Sequence, residues 1–150
     1  MASRHVSNAG QLSASEIAHL ARLERGMTVA VMGGGTEIAE VIQGTVGPSG
    51  RVIMIGEPHH SAATQPESCH RLLMVRAWEG LSDPVRTLHE LTKRLGPHGT
   101  LLVVERHGRI RMNEMVQLLE RNKWTIHRHG DAGPDHYYVE ATVTDESVQS

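Results

Sequence analysis

The chain has 150 residues, with 15 Lys and Arg against 17 Asp and Glu, and a single cysteine, Cys69. This length suits one domain, which buries roughly 68–70% of its unfolded surface. The near-even charge gives no electrostatic case for nucleic acid or an anionic membrane, no apolar run nears the roughly 18 residues that span a bilayer, and one cysteine excludes an internal disulfide framework.

The N-terminal stretch lacks the apolar segment of a secretory signal, so the cytoplasm is the expected location. Residues 1–12 and 144–150 read as flexible ends around one domain, 13–143. Ser13-Ala14-Ser15-Glu16 is a capping box, with Leu12 and Ile17 placed as a hydrophobic staple. Ile17, Leu20, Ala21 and Leu23 then form an apolar stripe, which predicts a helix over 14–24 that stops at Gly26.

Thr28 to Met32 is a short apolar strand, followed by Gly33, Gly34 and Gly35. A helix from about Glu37 to Gln43, a turn at Gly47-Pro48-Ser49-Gly50 and a second strand, Val52 to Ile55, come next, with Glu57 just beyond. This order of strand, glycine loop, helix, strand and carboxylate is the one that cradles a nucleotide-like ligand. A glycine loop lets backbone N–H groups approach the ligand, and a carboxylate after the second strand can accept from both ribose hydroxyls. A nicotinamide fingerprint does not fit, because its third glycine falls on Ile38, and no G-K-[ST] follows for a triphosphate.

Residues 58–71 hold two prolines and no apolar periodicity, which predicts a loop. Leu72 to Ala77 is a strand, and Ser82-Asp83-Pro84 opens a helix reaching about residue 95. Gly96-Pro97-His98-Gly99 reads as a turn, and Thr100 to Val104 as a buried strand ending at Glu105. A helix over 112–121 precedes an antiparallel hairpin, Trp124 to His129 and His136 to Val143. The alternation predicts an α/β domain around a mostly parallel sheet.

With this order in place, the chain resembles the class I S-adenosylmethionine-dependent methyltransferases. The likeness rests on Gly26-Met27-Thr28-Val29, Gly33-Gly34-Gly35-Thr36, Val46-Gly47-Pro48-Ser49-Gly50-Arg51-Val52, the run Leu91 to Leu102, and Leu118 to Trp124 with His136-Tyr137-Tyr138-Val139. It implies a Rossmann-like methyltransferase fold, helices on both faces and a C-terminal antiparallel hairpin. It also implies an S-adenosylmethionine site made by Met32, Gly33, Gly34, Gly35, Thr36 and Glu57. Three departures bear on that site: Val31 replaces the usual acidic residue, Glu37 the usual glycine, and the ribose-binding position falls on Gly56, with Glu57 one residue late. Between Glu57 and Leu72 the family carries a helix, a third strand and another helix, and here that third-strand region is missing. The expectation is a cofactor site weakened or lost, and a second strand left at the sheet edge for another chain to pair with, in a homo-oligomer or a larger complex. The alternative is an active small-molecule methyltransferase completed by a neighbouring subunit.

His59, His60, Cys69 and His70, with Glu57, form the densest set of metal-ligand types, and this is the third reading. Their spacing matches no compact zinc motif, so a polar surface loop without metal is preferred. Asp83, His89 and Glu90 read as solvated charge. Trp78, Glu79 and Glu105 follow strands at the end where ligands bind in such folds, and are secondary candidates.

Overall fold

The computed structural model describes residues 12–56, 68–108 and 110–144. Helices α1 (Ala14–Leu20), α2 (Gly35–Val46), α3 (Pro84–Leu91) and α4 (Met112–Arg121) surround strands β1 (Thr28–Gly33), β2 (Arg51–Met54), β3 (Cys69–Val75), β4 (Leu95–Arg106), β5 (Trp124–Asp131) and β6 (His136–Val143). The six strands form one sheet in the order β2-β1-β3-β4-β6-β5. β2, β1, β3 and β4 run parallel, and β6 pairs antiparallel with both β4 and β5. The predicted hairpin is therefore present, and among the described strands β2 lies at an edge of the sheet, as expected from the missing third-strand region.

Side-chain alternation divides the core into two layers. Val29 and Val31 of β1, Leu73 and Val75 of β3 and Leu102 and Val104 of β4 face α1 and α2. Ala30, Met32, Leu72, Met74, Leu101 and Val103 face α3 and α4. Ile38, Ile42 and Val46, spaced by one helical turn, are fully buried along α2. Each such side chain contributes about 1.5–3 kcal/mol through burial. With no Phe in the chain, the largest buried rings are Trp124 and Tyr137.

α1 has seven residues and needs help at both ends. At its start, Ser13 Oγ accepts from the Glu16 N–H and Glu16 accepts from the Ser13 N–H at 2.9 Å. Past its end, Arg128 donates to the Leu20 carbonyl at 2.6 Å and Arg71 Nε to the Ala21 carbonyl at 2.9 Å. The helix ends at Leu20, short of the predicted residue 24, because Arg22 turns left-handed at φ 54°. There it pairs with the buried carboxylate of Glu140, which Arg128 also holds.

Further boundaries differ from expectation, and α3 ends at Leu91, short of the predicted residue 95. β3 starts at Cys69, inside the predicted loop, and ends at Val75, while Ala77 leads into a tight turn over Trp78–Gly80. Gly96 to Gly99 do not separate a helix from a strand but form an irregularity inside β4. The register there runs from Cys69↔Leu95 to Arg71↔Thr100, so β4 spends more residues than β3, and His98 sits at φ 66°. Among the described residues no helix is long and apolar enough to cross a membrane.

Candidate functional site

The carboxyl ends of β1, β3 and β4 meet at one rim of the sheet, where open α/β folds bind ligands. β1 runs out into Gly33, Gly34 and Gly35, all left-handed, at φ 84°, 82° and 76°. A Cβ on Gly33 would lie 2.3 Å from the Val75 carbonyl oxygen, and one on Gly34 would lie 2.7 Å from Ile38 Cγ2. These two glycines are required by the protein's own packing. A Cβ on Gly35 would meet nothing within 4 Å, so only Gly35 leaves room for an approaching molecule. Met32 is buried in the α3/α4 layer, and Thr36 lies in the first turn of α2. Glu57 lies outside the described residues, as do His59 and His60. Of the residues that the resemblance implies for a cofactor site, those described form the glycine turn, and the ribose-binding candidate Glu57 is not among them.

The metal reading loses Cys69. Its side chain is 2% exposed within the α3/α4 core layer, and burial pushes its thiol up to about 11. A buried thiol held protonated is a poor ligand and a poor nucleophile. His70, next along the strand, is exposed and accepts the Thr28 N–H on Nδ1 at 2.9 Å. With Cys69 in the core and His70 at the surface, bonded to β1, these two do not share a site. Among the described residues no cluster of three or more metal-ligand types exists.

Two charged arrangements occupy opposite faces of the rim. On the α3/α4 side, Glu105 is 6% exposed and accepts the Trp78 N–H at 2.9 Å. Burial pushes its carboxyl above the usual range. Glu105 therefore fixes the turn that carries Trp78 and Glu79. Sequence reasoning placed these residues correctly at strand ends, and the structure gives Glu105 a positioning role in that turn.

On the α1/α2 side lies a cavity of about 200 Å³, lined among others by Leu12, Ile17, Gly34, Glu37, Arg76, Arg106 and His136. Arg76 would alternate toward α3 and α4 if β3 continued regularly, but it is left-handed at φ 51°, its N–H donating to the Val104 carbonyl at 2.8 Å. Such a conformation is uncommon outside glycine, and it turns the guanidinium to His136, with Nη1 3.1 Å from Nε2. Arg106 lies directly opposite His136 in the β4–β6 ladder. Sequence reasoning missed this group. The available signal was an arginine at the end of each of two apolar strands, Arg76 just after β3 and Arg106 closing β4, at the ligand-binding end of the sheet.

Comparison of the sequence with family models and with curated proteins gives no match. The structure does match solved structures. It aligns with an S-adenosylmethionine-dependent methyltransferase from Aquifex aeolicus at TM-score 0.74 and 17% identity, over 92% of this chain and 93% of that one. The fold is that of the class I S-adenosylmethionine-dependent methyltransferases. A chain from the complex of the Haloferax volcanii Trm112 methyltransferase activator with a methyltransferase aligns at TM-score 0.68 and 11% identity, over 95% and 92%. The [4+2]-cyclase SpnF aligns at TM-score 0.68 and 14% identity, over 91% and 84%. The methyltransferase fold thus also serves a cyclase, and the site, not the fold, must carry the functional argument.

Proposed function

We propose that this chain is an assembly subunit built on the methyltransferase fold, with a weakened S-adenosylmethionine site, that pairs through its β2 edge with a second copy. The observation that carries this reading is the condition of β2. Arg51 and Ile55 donate their N–H groups inward to the Met27 and Val31 carbonyls at 3.0 and 2.9 Å. By alternation, the N–H and C=O groups of Val52 and Met54 point away from the sheet. No described strand pairs with them, and Met54 is 50% exposed beside them. An open strand edge with apolar side chains is a template for another chain. The two glycines taken up by internal packing, and the short 55–68 connection, support the weakened cofactor site.

A second reading, an active methyltransferase whose missing wall comes from the neighbouring subunit, is favoured by the Aquifex aeolicus structure. That protein is named as a methyltransferase, and this chain covers 93% of it, so a chain this compact accommodates the fold in an enzyme. Both readings require the edge to be covered. Light scattering on the purified chain is expected to give a dimer or higher oligomer. Met54→Lys, which places a charge on the edge without touching the core, is expected to shift it to monomer. A wild-type chain that is monomeric at every concentration overturns the proposal.

A further inference from the structure

We infer that the cavity beside the glycine turn is a binding site for a small carboxylate with an apolar body. The inference goes beyond the assembly role and takes the occupant to be a molecule other than S-adenosylmethionine. Its centre is His136, which is 1% exposed. A guanidinium can only donate, so Arg76 fixes Nε2 of His136 as the acceptor and leaves the ring proton on Nδ1. That Nδ1 is buried and has no partner among the described residues. A buried N–H without an acceptor in a cavity wall is a place where a ligand oxygen is missing.

Two arginines stand beside this donor. Among the described residues neither Arg76 nor Arg106 is in an ion pair with a carboxylate, and both are exposed at the cavity. Burial, with the charges of Arg76 and Arg106, also holds the His136 ring below its usual range, so it stays neutral at pH 7. Glu37 lines the same cavity. The lining itself therefore carries two positive charges and one negative at neutral pH, with Asp135 acting on the His136 ring from outside it. That matches one carboxylate better than a doubly charged phosphate. The guanidinium fork suits a carboxylate's two oxygens.

Leu12, Ile17 and Ile38 line the rest and fit an apolar body. At about 200 Å³ the cavity is smaller than the roughly 300–1,000 Å³ that drug-sized ligands occupy. The occupant is a compact molecule.

NMR titration of the full chain with isovalerate, isopentanol, inorganic phosphate and S-adenosylhomocysteine tests this. Isovalerate is expected to shift the His136 ring and Arg106 side-chain signals to saturation, and isopentanol to leave them in place. Arg106→Gln, its fold verified from the amide spectrum, is expected to bind isovalerate about tenfold more weakly. Glu37→Gln, which removes the opposing charge, is expected to bind it more tightly. Equal binding of isopentanol, stronger binding of phosphate, or an unchanged affinity in Arg106→Gln overturns the inference. So does competition by S-adenosylhomocysteine for the same His136 signals, because the cavity then belongs to the cofactor. The assembly proposal fails separately, on the light-scattering result.

Discussion

Replacing Gly33 with alanine is expected to destabilise the protein by about 3 kcal/mol, a fall of roughly 6–12 °C in Tm for a domain of this size. Two effects add. A left-handed conformation costs a non-glycine residue roughly 1–2 kcal/mol, and Gly33 is at φ 84°. The new Cβ would also sit 2.3 Å from the Val75 carbonyl oxygen. That atom is main chain, in the strand paired with β1, so relief requires the sheet to open. Gly34→Ala should behave similarly, since its Cβ would meet Ile38 at 2.7 Å and Val75 at 3.3 Å. Gly35→Ala is the control. It is left-handed at φ 76° but has open space around it, so only the backbone penalty of roughly 1–2 kcal/mol applies. Urea denaturation of the three variants measures the series. Equal losses at all three positions would contradict the internal role assigned to Gly33 and Gly34.

The second large effect is expected at the Glu140 cluster. Glu140 is 3% exposed and held by Arg128 and Arg22. Burial alone would push its carboxyl up, but the hydrogen bonds and charges of Arg128 and Arg22 outweigh burial and hold it below the ordinary 4.5. Arg128→Ala leaves that carboxylate buried with one partner, itself largely exposed, and removes the cap on the Leu20 carbonyl. The expected loss is about 3 kcal/mol.

The sign of the pH dependence follows from linkage. A carboxyl whose folded value is depressed adds stability that is complete above the unfolded value near 4.5. That stability disappears as pH falls through the folded value. The stability gap between wild type and Glu140→Gln should therefore be largest near neutral pH and close as pH falls below the ordinary carboxyl value of 4.5 and through the lower folded value. A gap independent of pH would show that packing, not charge, holds β5, β6 and α1 together.

Much of the fold was legible because it depends on local signals. The capping box at Ser13, the Asp83-Pro84 start, the helix at 112–121 and the strand at 136–143 all stand where their residues predict them. What the sequence hid was tertiary. Gly96 and Pro97 look like a break, yet β4 continues through them because its pairing with β3 absorbs the extra residues. Cys69 and His70 read as members of one ligand set, yet Cys69 is buried in the core and His70 is exposed and taken up by the Thr28 N–H. The arginine–histidine group was the least visible. Arg76, Arg106 and His136 are far apart in sequence, and the left-handed turn at Arg76 that gathers them leaves no mark in composition or periodicity.

Whether the chain kept the cofactor site is settled most directly by titration calorimetry of the purified full chain with S-adenosylmethionine and S-adenosylhomocysteine. If the S-adenosylmethionine site is weakened as proposed, the predicted result is binding no tighter than about 1 mM, near 4 kcal/mol of affinity. Stoichiometric binding at micromolar or tighter would contradict the account and restore the enzyme reading.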